Sequence, residues 1–215
     1  MERRSYQQFC GVARALDLVG ERWTLLLVRN LLLGPQRYGE LLAGLPGITT
    51  NLLAKRLKDM EAAGLVERIG AGPARAYRLT ADGRALEPAI HALGAWGWRR
   101  MTAPAPGERR SLEWLLVALR RRYLGGRTLR AELVSNGVPY RFELTPERAV
   151  IERGPVGAAD LRVEAPPSSF AQLFLGAWPD DVDALGVRPT EGRAELLREL
   201  VEAFAKSDDD AAAVA

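Results

Sequence analysis

One stretch decides the fold of the amino-terminal half, Gly47-Ile48-Thr49-Thr50-Asn51-Leu52-Leu53-Ala54-Lys55-Arg56-Leu57-Lys58-Asp59-Met60. On a helix with about 100° per residue, Leu53, Leu57 and Met60 share one face. The opposite face is basic and amide-bearing, and it carries Asn51, Lys55, Lys58 and Ala62. A shorter amphipathic segment precedes this helix at residues 38–43, and a glycine-containing turn connects the two. Two short helices joined in this way are typical of a helix-turn-helix.

The flanking segments extend the motif. Residues 8–19 predict a first helix, and residues 23–33 predict a buried helix because they are apolar almost all round. Thr49 is predicted to cap the second motif helix as a simple cap, since neither Glu nor Gln follows three residues later. Strand-like residues 65–69 and 76–79 surround a turn-forming tip, which predicts a hairpin wing. Thr80 is then predicted to cap a longer helix, in which Pro88 marks a kink or the true start.

Several motifs together match one family. They are Cys10-Gly11-Val12-Ala13, Gly20-Glu21-Arg22-Trp23-Thr24, Leu33-Gly34-Pro35-Gln36-Arg37-Tyr38-Gly39-Glu40-Leu41, Gly47-Ile48-Thr49-Thr50-Asn51-Leu52-Leu53, Arg56-Leu57-Lys58, Gly64-Leu65-Val66-Glu67-Arg68 and Tyr77-Arg78-Leu79-Thr80. Residues 8–98 thus resemble the HxlR family of bacterial winged-helix transcription regulators, relatives of the MarR family. The resemblance implies a homodimer through the first helix and the helix running from Leu86 to Gly97, and a major-groove position for the helix of residues 50–63. Gly11 departs from the family pattern, in which proline often follows the cysteine.

The exposed polar residues of the motif suit contacts to double-stranded DNA. Asn51 can pair bidentately with adenine, and Lys55 can reach guanine O6 and N7. Basic residues near the first motif helix and the wing suit phosphate contacts, which dominate affinity. The predicted DNA-binding residues are Arg37, Thr49, Thr50, Asn51, Lys55, Arg56, Lys58, Arg68 and Arg75. The alternative for any one of them is an ordinary solvated helix face.

The second half changes character. Residues 102–110 are predicted to be a linker, and residues 208–215 a frayed tail. Between them, residues 111–207 predict a helix, four strands, a helix capped by Ser168 or Ser169, a short strand and a last helix. Asn136-Gly137 is a type I′ hairpin signal that pairs Leu133 with Tyr140, so that the apolar side chains share one face. We therefore expect an α+β domain with an antiparallel sheet packed by helices.

The order of these elements resembles the sterol-carrier-protein fold. The resemblance implies a cavity for an apolar small-molecule ligand. Its predicted lining residues are Trp114, Tyr140, Phe142, Phe170, Leu173, Phe174 and Trp178. Aromatic residues at helical or strand spacing are also typical of an ordinary core, which is the alternative interpretation.

The remaining reactive residues do not indicate an enzyme. Cys10 is the single cysteine, and His91 is the single histidine. They cannot form a multi-ligand metal site, and no phosphate-binding glycine motif occurs, so we expect no catalytic residues, metal or cofactor. Cys10 has two interpretations, a buried structural cysteine, which we favour, or a redox-sensing thiol of the kind found in HxlR relatives.

The charge distribution separates the two halves. Residues 1–100 carry a net charge of +6 and residues 101–215 a net charge of −3. This division suits one nucleic-acid-facing domain, at residues 1–101, and one with another role, although random scatter gives the same pattern. The start lacks a secretory signal and the longest apolar run, residues 25–33, is too short for a bilayer, so we expect a cytoplasmic protein without membrane contact.

Two hypotheses follow for the whole chain. The first is a dimeric transcription regulator, a repressor in our expectation, that binds a pseudo-palindromic operator and senses an apolar ligand through its second domain. The second is a lipid-binding carrier or accessory protein that uses its winged helix only for dimerisation or protein contacts.

Overall fold

The computed structural model describes residues 5–101 and 107–205. The chain divides into two compact units, Met1–Ile90 and His91–Ala215, and the division falls inside a helix. The domain boundaries expected from sequence, at 101 and 111, remain predictions. Most of the predicted linker, residues 102–106, and the predicted frayed tail lie outside the described residues.

The first unit is a small helical domain with a three-stranded sheet. Its helices are α1 (Gly11–Val19), α2 (Thr24–Leu31), α3 (Tyr38–Ala43), α4 (Thr50–Ala62) and α5 (Ala81–Arg84), and its strands are β1 (Gln36–Arg37), β2 (Val66–Ile69) and β3 (Ala76–Leu79). A further helix, α6 (Glu87–Trp98), begins in this unit and continues into the second. The order of the strands in the sheet is β1-β3-β2.

The helix-turn-helix forms as the sequence predicts. Thr49 caps α4, because its Oγ1 accepts a hydrogen bond from the backbone N–H of Leu52 at 3.3 Å. Leu53, Leu57 and Met60 are fully buried beneath α4, which confirms its apolar face. The Tyr38 hydroxyl donates to the carbonyl of Thr50 at 2.6 Å and so ties the start of α3 to the start of α4.

The wing is an antiparallel hairpin of β2 and β3, with Val66 opposite Leu79 and Ile69 opposite Ala76. Its tip, residues 70–75, contains a single 3₁₀ turn at Gly72–Ala74. Strand β1 pairs with β3 on the other side and was not predicted, because two residues carry too little pattern to read. The wing therefore connects directly to the residues that begin α3.

The long helix predicted after Thr80 is two helices. Thr80 caps the first, α5, because its Oγ1 accepts from the N–H of Gly83 at 3.1 Å. Pro88 lies in the first turn of α6, where its missing N–H would have no helical partner in any case. Pro88 was predicted to mark either a kink or the true start of the helix, and it marks the start.

The second unit is an α+β domain. After α6, its helices are α7 (Leu112–Arg120), α8 (Pro167–Leu175) and α9 (Ala194–Glu202), and its strands are β4 (Leu129–Ser135), β5 (Val138–Leu144), β6 (Ala149–Arg153), β7 (Leu161–Glu164) and β8 (Arg188–Glu191). The predicted hairpin register is confirmed, with Leu133 opposite Tyr140 and Ala131 opposite Phe142. Asn136 and Gly137 have φ values of 50° and 74°, as a type I′ turn requires.

The expectation of an antiparallel sheet is wrong for one pair of strands. The strand order is β6-β5-β4-β7-β8, and β7 runs parallel to β4, with Ala131 opposite Leu161. The reason is the connection after β6, which crosses the sheet instead of turning back as a hairpin. Val156 in this crossover is buried, and its N–H donates to the Glu132 carboxylate at 2.8 Å.

The start of α8 also differs from the prediction. Pro166 occupies the cap position and Pro167 the first helical position, so neither Ser168 nor Ser169 caps the helix. Proline is well suited to the first turn of a helix, which explains the earlier start. The Ser169 hydroxyl donates instead to the carbonyl of Leu185 at 2.6 Å.

The core of the second unit contains five of the seven predicted pocket residues. Tyr140, Phe142, Phe170, Leu173 and Phe174 are buried, whereas Trp114 and Trp178 are partly exposed. The ring of Phe142 stacks on that of Phe174 with centroids 6.1 Å apart, and Phe204 meets both rings edge-on. These rings fill space between sheet and helices by packing on one another, which agrees with the core alternative.

The opposite face of this sheet carries a continuous row of charges. The five residues stand side by side on the five strands, in the order Glu152, Arg141, Glu132, Arg162 and Glu191. The Arg162 guanidinium bridges Glu132 and Glu191, at 2.8 Å and 2.7 Å, and Arg141 pairs with Glu152. Each arginine thus lies between two carboxylates, and Glu132 in the middle is only 5% exposed.

Candidate nucleic-acid interface

The exposed face of α4 brings together most of the predicted DNA-binding residues. Thr50, Asn51, Lys55 and Lys58 are all exposed, while the apolar side of the helix is buried. Lys58 makes no ion pair with any residue that the structure describes. The Nζ of Lys55 lies 2.8 Å from the Asp59 carboxylate, one turn further along the helix. Such exposed pairs are weak, so Lys55 is available to another partner.

A second group of predicted residues surrounds an open depression between α3 and the wing. The depression has a volume of about 670 Å³. Its lining residues are Arg37, Tyr38, Gly39, Glu40, Gly72, Pro73, Arg75 and Tyr77. The exposed side chains of Arg37 and Arg75 supply two positive charges to it. Two guanidinium groups on an open, partly apolar surface can bind a phosphate of a nucleic-acid backbone.

Arg37 also defines how α3 begins. Its backbone N–H donates to the Glu40 carboxylate at 2.6 Å, which satisfies one of the free donors at the helix start. Arg68 on β2 is exposed, and its Nε lies 2.7 Å from the carboxylate of Glu61 at the end of α4. The hydrogen bond to Glu61 and the charge of that carboxylate raise the pKa of the Arg68 guanidinium above its ordinary value.

Arg56 does not belong to the exposed face, contrary to the sequence-based expectation. It is 8% exposed, and its guanidinium pairs with the Glu21 carboxylate. Its Nε donates to the carbonyl of Arg22 at 3.2 Å. The burial cost of the charge is offset by these hydrogen bonds, so Arg56 fastens α4 to the turn between α1 and α2.

Sequence reasoning missed this anchor and the turn that receives it. Trp23 precedes α2 in the left-handed region, with φ of 81°, which is rare for a residue with a side chain. The Arg22 guanidinium lies 5.0 Å from the centre of the Trp23 ring, in cation–π contact. The signal was present as the Gly20-Glu21-Arg22-Trp23 motif, but its partner Arg56 is 35 residues away in the chain.

Cys10 is exposed, so the favoured interpretation of a buried structural cysteine is wrong for this chain. It stands at the cap position of α1, where helix donors have no helical acceptor. The backbone N–H groups of Ala13 and Val12, in the first turn of α1, lower the pKa of the thiol below its ordinary value. A thiol in this position has more thiolate at neutral pH than a free cysteine.

The fold and the site together define a winged helix-turn-helix protein. The family model described as HxlR-like helix-turn-helix matches residues 18–104. The HTH-type transcriptional regulator YvaP of Bacillus subtilis is 40% identical over 86 residues, which cover 39% of this chain and 80% of that relative. The chain therefore belongs to the HxlR-like helix-turn-helix family, which confirms the resemblance seen in the sequence.

Other relatives carry the same kind of name. The HTH-type transcriptional regulator YodB of B. subtilis is 36% identical over 85 residues, covering 38% of this chain and 76% of that protein. The HTH-type transcriptional regulator Rv3095 of Mycobacterium tuberculosis is 44% identical over 97 residues, covering 44% of this chain. The match spans 61% of the Rv3095 length. These relatives are named as regulators and not as enzymes, in agreement with the sequence-based prediction.

A helix needs about 20 mostly apolar residues to cross a bilayer. Within residues 5–101 and 107–205, none is long and apolar enough to span a membrane.

Proposed function

We propose that this protein is a transcriptional regulator that binds double-stranded DNA as a homodimer. The observation that carries the proposal is the exposed polar face of α4, which holds Asn51, Lys55 and Lys58 beside the two arginines of the wing depression. In this family fold, such a helix enters a major groove while the wing follows the backbone. The relatives' names as HTH-type transcriptional regulators support the same function.

The proposed contacts divide by chemistry. Asn51 and Lys55 read base edges, with Asn51 suited to adenine and Lys55 to guanine. Lys58 and Thr50 contact bases or phosphates, and Arg37, Arg68 and Arg75 contact phosphates. Thr49 takes part through the backbone geometry that its cap gives the start of α4. Arg56 is removed from the proposed contacts because its guanidinium is buried and paired.

The proposed homodimer uses α1 and α6. Val12 and Leu16 on α1 are 70% and 42% exposed, and Leu93 and Trp96 on α6 are 52% and 54% exposed. Large apolar side chains at such exposure favour burial against a partner. A twofold dimer would present two copies of α4 to half-sites about 34 Å apart, which predicts a pseudo-palindromic operator.

The test is a gel-shift titration with DNA fragments selected from a random library. Replacing Lys55 and Lys58 together by alanine is expected to weaken binding about 100-fold or more, since base and phosphate contacts are lost in both protomers. The matched control is the double change of Arg109 and Arg110 to alanine, which removes the same charge from exposed positions of the second unit. Equal affinity of the two double variants would refute the proposal.

The second unit is proposed to sense an apolar small molecule. The support is the order of its elements, which matches the predicted sterol-carrier-like order of helix, four strands, helix, strand and helix. Because the central rings pack on one another, a ligand would have to displace them or bind beside Trp114 and Trp178. Titrating the DNA complex with a long-chain fatty acid and with a sterol tests this, because allostery requires different affinities in the two states. Unchanged DNA affinity for ligands that do bind contradicts it.

A thiol-sensing role for Cys10 is a second proposal. It is supported by the exposed sulfur and by the two backbone donors that lower the pKa of the thiol. Oxidant is expected to change the DNA affinity of the native chain and to leave a Cys10→Ser variant unchanged. An identical response of both proteins excludes Cys10 as the sensor.

The alternative hypothesis remains a lipid carrier or accessory protein whose winged helix serves only for dimerisation or protein contacts. It predicts no effect of the Lys55 and Lys58 changes on any DNA, so the gel-shift experiment above separates the two hypotheses.

A further inference from the structure

The carboxylate of Asp59 occupies an unusual position for a proposed DNA-binding helix. It lies at the edge of the basic face of α4, half exposed, and its Oδ2 accepts hydrogen bonds from two cations. Lys55 Nζ is 2.8 Å away and Arg56 Nη1 is 3.1 Å away. A negative charge beside the residue proposed to read a base repels the phosphates that the same helix must approach.

The two cations that hold Asp59 differ in their freedom. Arg56 is buried and fixed to Glu21 and to the carbonyl of Arg22, so it keeps the carboxylate in place. Lys55 is 51% exposed, and among residues 5–101 and 107–205 its ion-pair partner is the half-exposed Asp59. Lys55 can therefore leave for another partner, whereas Asp59 stays at the edge of the face.

The protonation state supports a permanent charge at this position. Burial raises the pKa of Asp59, but the hydrogen bonds and charges of Lys55 and Arg56 outweigh burial, so the pKa lies below its ordinary value. The carboxylate is therefore ionised at neutral pH.

We propose that Asp59 is a specificity-determining residue that makes Lys55 a poor phosphate ligand and leaves it free for a base edge. A phosphate that approaches Lys55 meets the full charge of the fixed carboxylate, whereas guanine O6 and N7 carry only partial charges. The penalty is therefore larger for non-specific contacts than for the specific one. This inference rests on the proposed DNA binding and concerns which DNA the same face prefers.

The test compares Asp59→Asn with the native chain on a random-sequence duplex of about 40 base pairs, long enough for two half-sites one turn apart. The asparagine keeps an acceptor for Arg56 and removes the charge. Non-specific affinity is expected to rise about 5- to 10-fold at low salt. The slope of log affinity against log salt is expected to steepen by about 1 for each protomer, because Lys55 gains a phosphate.

A matched control exists in the second unit. Arg198 and Glu202 form an ion pair with the same spacing, the same 2.8 Å distance and similar exposure, 59% and 50%. Glu202→Gln makes the same change in net charge and likewise releases an exposed cation, Arg198, from its ion pair. If Glu202→Gln raises non-specific affinity as much as Asp59→Asn, net charge explains the effect and the inference is overturned.

Two further variants keep the result decisive. Asp59→Glu retains the charge and is expected to bind random DNA like the native chain. In a chain that already carries Lys55→Ala, Asp59→Asn is expected to have no remaining effect on the salt slope. A full effect in that background would overturn the role of Lys55. Thermal unfolding of each variant identifies any loss of folding.

The outcomes also separate this inference from the proposed function. If the native chain does not bind DNA of any sequence, the proposed function fails. If the native chain binds and Asp59→Asn behaves identically on random DNA, only the role of Asp59 fails.

Discussion

The two units use charged residues in opposite ways. On α4, Lys55 and Lys58 stand at the surface, and Lys55 pairs weakly with Asp59, a carboxylate that also pairs with the buried Arg56. On the outer face of the second sheet, Arg141 and Arg162 each stand between two carboxylates in a row across five strands. We infer that surface arginines and lysines indicate a binding face more strongly where fewer carboxylates of the fold compensate their charge.

The largest expected effect tests the compensated surface at its centre. Glu132→Ala removes the buried carboxylate that accepts from Arg162 and from the N–H of Val156. Breaking a buried pair of this kind costs about 3 kcal/mol of unfolding free energy. Urea unfolding measures it, with Glu191→Ala as control, since that carboxylate is half exposed and its loss should cost less than about 1 kcal/mol. Equal losses would mean that burial does not determine how much each carboxylate of the row contributes to the free energy of unfolding.

The second prediction concerns pH and a second compensated site. Glu113 accepts hydrogen bonds from the Tyr140 hydroxyl at 2.6 Å and from Arg153 at 3.1 Å, and a further one from Ser111. Burial raises the pKa of Glu113, but these hydrogen bonds outweigh it and lower the pKa from 4.5 to about 2.

Because the pKa is depressed in the folded state, the carboxylate stabilises the fold above pH 4.5, and this contribution is lost as the pH falls toward 2. The loss is on the order of 2–3 kcal/mol. Urea titrations across this range measure it, and Glu113→Gln should remove this contribution to the pH dependence. An unchanged pH profile in that variant would assign the acid sensitivity to other groups.

The third prediction concerns Arg56, the buried and paired cation of α4, in contrast to the exposed lysines on the same helix. Arg56→Met keeps the apolar stem and removes the charge that binds Glu21 and the carbonyl of Arg22. We expect a loss of about 1–2 kcal/mol in unfolding free energy, because the partners are only partly buried. We also expect weaker operator binding through misplacement of α4. A stable variant with unchanged DNA affinity would show that the anchor does not position the helix.

The smallest expected effect on stability tests the uncompensated surface. Lys58→Ala should change the unfolding free energy by less than about 0.5 kcal/mol, since the side chain is exposed. The same change should reduce the salt slope of DNA binding by about 1 for each protomer. A marked loss of stability with normal DNA binding would mean that Lys58 stabilises the fold and does not contact DNA.

Most of the fold could be predicted from local signals in the sequence. The Thr49 cap lies three residues from its partner, and the Asn136-Gly137 turn fixes the register of the hairpin from two positive φ values. These features depend on neighbours in the chain, which the sequence displays directly. The apolar faces of α4 and of the β4–β5 pair follow from period alone.

The wrong predictions concern features that depend on residues far apart in the chain. Arg56 lies between the apolar and polar faces of α4, and only its pairing with Glu21 shows that it turns inward. The parallel direction of β7 depends on a crossover whose seven residues have no strand period. The exposure of Cys10 depends on where α1 lies in the folded unit, which its own sequence does not state.

The crossover between β6 and β7 has a consequence for how the second unit assembles. The strands β4, β5 and β6 pair through short hairpins. The pairing of β4 with β7 is less local, because Ala131 lies opposite Leu161, which is 30 residues later in the chain. Closing a longer loop costs more entropy and slows folding. During synthesis we therefore expect a three-stranded intermediate whose β4 edge stays open until β7 pairs with it. Inserting flexible residues into the crossover should lengthen the life of that intermediate and so expose, for longer, an edge on which chains can pair and aggregate.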